Sequence, residues 1–323
     1  MKKILASALA ILLVACGADN DGSGSPEKQS RVITIAASPA PHAEILSEAA
    51  KNMRKRGIDV DIRIFDDYVQ PNNVVESGEI QANYMQHELY LHDFNHDRGT
   101  HLRVAGRIHY EPLGIYPGKK KQLSELASGD HVGIPNDTTN EARALLLLQD
   151  NGLIRLSSEA GLTASVRDVI ENPRNLQLVE MEAAQLPRVK DQMAMVILNG
   201  NYALAAGFNV EKDAVAFEKS ESLAALTYVN VIAVREGHEK DPLIQSLVSE
   251  LRSDRIREFI HNKYSGAVMF YTEPMRTGKS ATDKKPPEKK KHPAFVDEPS
   301  HSGSDTSSAE AQGGKEADLN QAA

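Results

Sequence analysis

No tryptophan occurs in the 323 residues, aromatic residues make up 5%, and cysteine appears once, at position 16. A lone cysteine forms no disulfide framework, so a stapled scaffold is excluded. The fingerprints of nucleotide binding and of common catalysis are also missing. After the first strand-like run the chain reads "AASPAPHAE", which has no glycine and argues against a dinucleotide loop. Neither a Gly-x-Ser-x-Gly elbow nor a His-Glu-x-x-His pair is present. The net charge of −8 is spread without acidic blocks, and no basic stripe is interleaved with aromatics. Nucleic acid is therefore not the expected partner.

The two ends differ in composition from the middle. "MKK" is a basic leader, followed by the ten apolar residues "ILASALAILL" and then "LVAC". Ten residues are too few to span a bilayer, so residues 1–15 are expected to be a signal peptide. The Leu13-Val14-Ala15-Cys16 junction resembles the bacterial lipobox. It implies that Cys16 carries acyl chains, palmitate among them, that hold the mature protein to a membrane. Residues 16–30 read as a polar tether, with about 20 Å of reach for a flexible chain. Residues 275–323 contain one aromatic and almost no aliphatic residues, which is too little apolar area to offset the entropy of ordering.

Between the ends, strand-like and helix-like patterns alternate. "RVITIAA" reads as a buried strand, "HAEILSEAAKNMRKR" as a helix and "DVDIRIF" as a half-buried strand. Further strands are expected at "HLRVAGRIHY", "HVGIP", "LQLVEME", "MAMVILN" and "TYVNVIAV", with helices over 86–97, 139–151, 183–190, 241–252 and 253–262. The alternation predicts an α/β fold with largely parallel sheets, and about 240 residues suffice for two lobes with separate cores.

Three features could carry chemistry. His87, His92, His96 and His101 recur at short intervals, and His92 and His96 have the spacing of a two-histidine metal face. Their polar surroundings favour a helix surface instead, so no metal and no cofactor is expected. Asn199 and Asn230 are embedded in apolar runs, where a buried amide needs several partners. Arg143 lies in the first turn of a helix announced by Thr138 and Glu141, which have the spacing of a capping box. A cation there adds to the positive end of the helix dipole, and its neighbours one turn on are Leu146 and Leu147. An arriving ligand carboxylate would resolve the conflict, because guanidinium and free backbone N–H groups point the same way.

Longer blocks make these residues specific. "DDYVQPN" at 66–72, "GEIQANYMQH" at 78–87, "HYEPLGIYPGK" at 109–119, "IPNDTTNEARALLLLQ" at 134–149, "ENPRNL" at 171–176, "EAAQLPR" at 182–188, "NGNYAL" at 199–204 and "YVNVIAVR" at 228–235 occur in order. Together they resemble the methionine-binding lipoprotein (NlpA/MetQ) family. The resemblance implies a two-lobed, periplasmic-binding-protein-like α/β fold with the ligand in the cleft between lobes. Lobe 1 would comprise 31–114 plus 223–270, and lobe 2 would comprise 115–222. It further implies a non-enzymatic, monomeric receptor that delivers methionine, as the L or the D form, to the permease and ATPase of an ABC importer. The site it implies uses Arg143 with Asn140 for the ligand carboxylate, Asn199 and Asn230 for the head group, and Tyr68, Met85 and His87 around the side chain. Met85 stands where the family usually has an aromatic residue, and Leu89 where it usually has proline. A surface lipoprotein of the same fold that engages a host or partner, or a metal-binding receptor, are the alternatives. Which membrane carries the lipid is left open, the periplasmic face of the inner membrane or the outer membrane.

Overall fold

The computed structural model describes residues 31–219 and 227–272. The expected signal peptide, Cys16, the tether, the tail and the lobe boundary at 222/223 lie outside the described residues. Among those described, no helix is long and apolar enough to cross a membrane.

The chain first builds β1 (Arg31–Ala37), α1 (Glu44–Lys55) and β2 (Ile58–Ile64). Helix α1 buries Ile45, Leu46, Ala49 and Met53 on one face, with Glu44 at its start and Arg54 and Lys55 at its end, the signs its dipole favours. Then follow α2 (Gln70–Glu76), β3 (Ala82–His87), α3 (Glu88–Arg98) and β4 (Leu102–Tyr110). The chain next leaves for a second sheet. There it forms β5 (Gly114–Pro117), β6 (His131–Pro135), α4 (Thr138–Asp150), a separate two-stranded sheet of β7 (Arg155–Leu156) and β8 (Val169–Glu171), then β9 (Gln177–Met181), α5 (Leu186–Val189), β10 (Met195–Leu198), α6 (Gly200–Ala205), α7 (Val210–Asp213) and β11 (Ala216–Phe217). It returns through β12 (Val229–Arg235), α8 (Pro242–Leu251), α9 (Asp254–Tyr264) and β13 (Met269–Phe270).

The first sheet has the order β13-β4-β12-β3-β1-β2 and the second β11-β5-β10-β6-β9. Both are mixed, which corrects the expectation of largely parallel sheets. β1 runs parallel to β2 and β3, and β6 parallel to β9 and β10, because helices connect them. The returning strand β12 inserts antiparallel between β3 and β4, and β5 lies antiparallel to β10 and β11. A strand that re-enters from another sheet is not bound by the direction that helical crossovers impose.

The cores are not separate, as had been expected. Apolar packing around Ile33, Leu46, Ile232 and Leu247 of the first sheet runs on into Tyr116, Leu186, Val196 and Leu198 of the second. The far side of the second sheet has its own cluster, built on Ile134, Leu145, Leu148 and Ile197.

Strand β3 was not foreseen. "ANYMQH" is buried at all six positions in the interior of the sheet, so it shows no alternation. Its polar side chains satisfy one another: Gln86 Nε2 donates to Asn72 Oδ1 (2.6 Å) and to Asn83 Oδ1 (2.8 Å), and Asn72 Nδ2 donates back to Gln86 Oε1 (3.0 Å). A run rich in amide side chains is thus a central strand whose amides bond one another and Asn72 of α2.

Candidate functional site

All seven residues expected around a ligand, Tyr68, Met85, His87, Asn140, Arg143, Asn199 and Asn230, line one cavity. The space between them is about 310 Å³ when the open solvent at its mouth is counted. The residues arrive from different elements. Tyr68 precedes α2, Met85 and His87 end β3, Asn140 lies in the first turn of α4 and Arg143 in the second, Asn199 precedes α6, and Asn230 is near the start of β12. Strand ends and helix starts converge there, as at other α/β ligand crevices. The register of β12 shifts beside Asn230, and such a bulge re-aims the side chain next to it.

Helix α4 is capped by Asp137, one residue before the expected Thr138, and its carboxylate accepts the Asn140 N–H at 3.1 Å. Glu141 does not reach back to the cap; it accepts the N–H of Val166 at 2.8 Å. Gly152 terminates the helix as expected, with φ of 68° and the paired bonds Gly152 N–H to Gln149 and Leu153 N–H to Leu148 of a Schellman motif.

Asn140 is committed within the protein. Its Nδ2 donates to Asp137, while its Oδ1 accepts from Asn199 Nδ2 (2.7 Å) and from His87 Nε2 (3.2 Å). His87 Nδ1 accepts the N–H of Tyr90 at 3.0 Å, so the proton sits on Nε2. Burial and the nearby Arg143 charge hold His87 down to about 3, and the imidazole is neutral. Asn199 is the residue before α6, yet its side chain does not cap that helix. Its amide turns to Asn140 instead, and its Oδ1 is buried with no hydrogen-bond partner.

Arg143 is 4% exposed and already holds an acid. Its Nε and Nη2 donate to Glu218 at 2.8 and 2.6 Å, and Nη2 also donates to the Glu111 carbonyl at 2.7 Å. Its guanidinium lies 4.2 Å from the ring centre of Tyr228. Burial alone would lower its pKa, but the Glu218 charge outweighs that and keeps it raised. The local conflict at this helix start is therefore answered first by a protein carboxylate. Nη1 is engaged by neither of these acceptors.

Glu111 was not singled out in the sequence. It follows β4 directly, lines the cavity and is buried. Its Oε1 accepts from His109 Nε2 at 2.6 Å and lies 3.4 Å from His42 Nε2. Tyr84 hydroxyl meets His109 Nδ1, and His42 Nε2 meets Asn230 Oδ1 at 2.9 Å. Burial pushes His42 down to about 4 and His109 to about 3, so both are neutral and donate a single N–H. Burial raises Glu111, opposed by the charges around it and by the Asn201 N–H at the start of α6. Gly200 permits this approach, since a Cβ there would meet the Glu111 Cβ at 2.6 Å. The signals were an acid ending an apolar strand and the second asparagine of "NGN", Asn201, whose Oδ1 accepts the Tyr68 hydroxyl at 2.5 Å.

His92 and His96 form no metal face: they are 64% and 87% exposed and lie beside Glu88 and Asp97 respectively. His42, His109 and Glu111 bring three ligand-type atoms within 4.8 Å of one another. Metal-bound imidazoles need an acceptor for the second ring nitrogen, and His42 Nδ1 has none. The group reads as a hydrogen-bonded support for Glu111 and Asn230.

Known proteins resemble most of this chain. The family described as NlpA lipoprotein matches residues 33–271. The chain is similar to the D-methionine-binding lipoprotein MetQ of Escherichia coli K12, 38% identical over 261 residues, covering 80% of this chain and 93% of that one. A lipoprotein crystal structure from Ruminococcus gnavus is 59% identical with a TM-score of 0.74, covering 75% of this chain and all of that one (100%). The structure of a nutrient binding protein from Burkholderia cenocepacia bound to methionine is 38% identical with a TM-score of 0.71, covering 74% of this chain and 100% of that one.

Proposed function

This chain belongs to the NlpA lipoprotein family, a family of binding proteins rather than enzymes with a two-lobed α/β fold, and from that premise we propose that it captures methionine for an ABC importer. In this reading it is held to a bacterial membrane through Cys16 and delivers its ligand to a permease and ATPase. The observation that carries the proposal is the composition of the cavity wall. Arg143 brings a guanidinium to the wall for a carboxylate, while Glu111 and the unpartnered Asn199 Oδ1 offer acceptors to an ammonium. Between them the wall carries Asn230, supported from behind by His42. These are the complements of an α-amino acid head group.

Tyr68, Tyr90, Met85 and the neutral His87 then surround the ligand side chain. Tyr68 and Tyr90 meet edge to face at 5.6 Å between ring centres, which makes a wall of fixed shape. Met85 is buried and adds an adaptable thioether instead of a flat ring. Methionine has roughly nine heavy atoms, and at a ceiling of ~1.5 kcal/mol per atom its binding could reach about −13 kcal/mol, in the nanomolar range. No metal or cofactor is required for such affinity.

Lobe 1 is proposed as 31–114 plus 223–270 and lobe 2 as 115–222, with the two crossings between them acting as the hinge. The location of β5, β6, β9, β10 and β11 in one sheet and of β1 to β4, β12 and β13 in the other supports this division.

Calorimetry on the detergent-solubilised full chain tests the binding. L-methionine should bind with a dissociation constant below about a micromolar, and leucine should bind more weakly. A flat methionine titration would sink the reading. Cys16→Ser should leave binding unchanged and move the protein from the membrane fraction to the supernatant, and retained membrane attachment would rule out the lipid anchor.

A further inference from the structure

Glu218 lies behind Arg143 and outside the cavity wall, yet it sets the charge of the cavity. Its side chain is 8% exposed. Besides the two bonds from Arg143, its Oε2 accepts the Tyr110 hydroxyl at 2.7 Å and the Leu113 N–H at 2.8 Å. Its own N–H donates to the Leu113 carbonyl at 3.0 Å. Four donors thus converge on one buried carboxylate.

The charge balance around the cavity follows from this. Among the described residues that line it, Arg143 is the one permanent cation and Glu111 the one acid. His87 in the wall, and His42 and His109 behind Glu111, are neutral. The guanidinium is thus paired with Glu218, and Glu111 is the acidic group left facing the cavity. A ligand ammonium finds an acceptor there. A ligand carboxylate must share a guanidinium whose Nε and Nη2 are already spent on Glu218. The buried Asn199 Oδ1, an acceptor without a donor, also calls for N–H groups.

We propose that Glu218, by neutralising Arg143 in advance, makes the α-ammonium the group through which this pocket selects its ligand. The site then takes primary amines bearing a methionine-like side chain even where the carboxyl group is missing or blocked as an amide or ester. The side-chain half of this statement rests on the methionine reading above; the head-group half rests on the charge balance.

Two truncated ligands of matched side chain test it. 3-(Methylthio)propylamine keeps the ammonium and lacks the carboxylate, while 4-(methylthio)butanoate keeps the carboxylate and lacks the amine. Competition against L-methionine on the full chain should show the amine binding at least about thirtyfold more tightly than the acid, the low end for truncating one partner of a buried charge pair. Glu218→Gln keeps the size but frees the Arg143 charge, and should shrink this ratio by about tenfold or more. Glu111→Gln should shrink it as well, by weakening the amine alone. Equal binding of the two probes to the wild type, or tighter binding of the acid, overturns the proposal while leaving methionine binding standing. So does a ratio that neither variant moves. If methionine itself fails to bind, the functional reading falls and takes this proposal with it.

Discussion

Arg143 shows how far a single residue can be read from its neighbours. A cation in the first turn of a helix, on an apolar stripe, signals a missing anion, and a missing anion suggests a ligand. That inference located the cavity. It could not locate Glu218, which lies 75 positions away in sequence and meets Arg143 only once the second sheet is folded. The presence of Glu218 reverses one expectation about stability. Taken alone, removing a cation from a helix N-terminus should cost nothing. Here Arg143→Ala leaves a buried carboxylate without its counter-charge and strips the stacking on Tyr228. Breaking one side of a buried pair typically costs about 3–5 kcal/mol. Urea unfolding of the ligand-free protein should show a loss of that order for Arg143→Ala. The double variant Arg143→Ala with Glu218→Ala should lose less than the sum of the two single variants, because the orphaned charge goes with its partner. Additive losses would mean that the two side chains are not coupled. Arg143→Lys should restore little, since an ammonium cannot hold the carboxylate in a fork.

At the scale of elements, the sequence was legible wherever one local rule dominated. Helix α1 and strand β2 follow from their apolar spacing, and the end of α4 follows from Gly152. β3 was illegible because its asparagine and glutamine side chains close a network among themselves, so composition misreports burial. The mixed direction of the sheets was illegible for another reason. Alternation of strands and helices says nothing about a strand such as β12, which returns from a second sheet. In the site, the residues with a local anomaly were found: Arg143, Asn199 and Asn230. Glu111 was missed, because an acid after a strand is ordinary until His109 and Gly200 are brought against it. The start of α4 was misplaced by one residue, and the difference has consequences. Asp137 both caps the helix and receives the Nδ2 of Asn140, which in turn holds His87 and Asn199. Asp137→Ala should therefore lower stability by about 1–2 kcal/mol, the upper part of the range for losing a cap, and weaken ligand binding through Asn140. Thr138→Ala should change neither. Thermal unfolding and calorimetry on the two variants decide between the caps, and a larger loss for Thr138→Ala would refute the assignment.

The whole molecule is organised around groups that are neutral in the fold and charged outside it. Apolar packing continuous between the sheets buries His42 and His109 beneath the cavity, while the cavity itself buries His87. An imidazole whose folded pKa lies below its unfolded value of 6.5 takes up its proton more readily once the chain unfolds. The stability these three histidines contribute is therefore complete above about pH 6.5. It is lost as pH falls toward 4 for His42 and toward 3 for His87 and His109. Within its window each histidine adds a slope of about 1.4 kcal/mol per pH unit. Glu111 and Asp137 act with the opposite sign, because burial raises their pKa and ionising them costs stability as pH rises. Their effect begins only above their unfolded values of 4.5 and 3.8; Asp93 and Glu141 are raised too but are more open to solvent, so two deeply buried carboxyl groups oppose three histidines. The net expectation is a thermal midpoint of the ligand-free protein that falls from about pH 6.5 to about pH 5. His42→Gln keeps a donor toward Asn230 but cannot titrate, so its profile should be shallower by about one proton. A midpoint that is flat or rises over that interval would show that the buried imidazoles do not set the acid limit of the fold, and that the carboxyl groups around the cavity do.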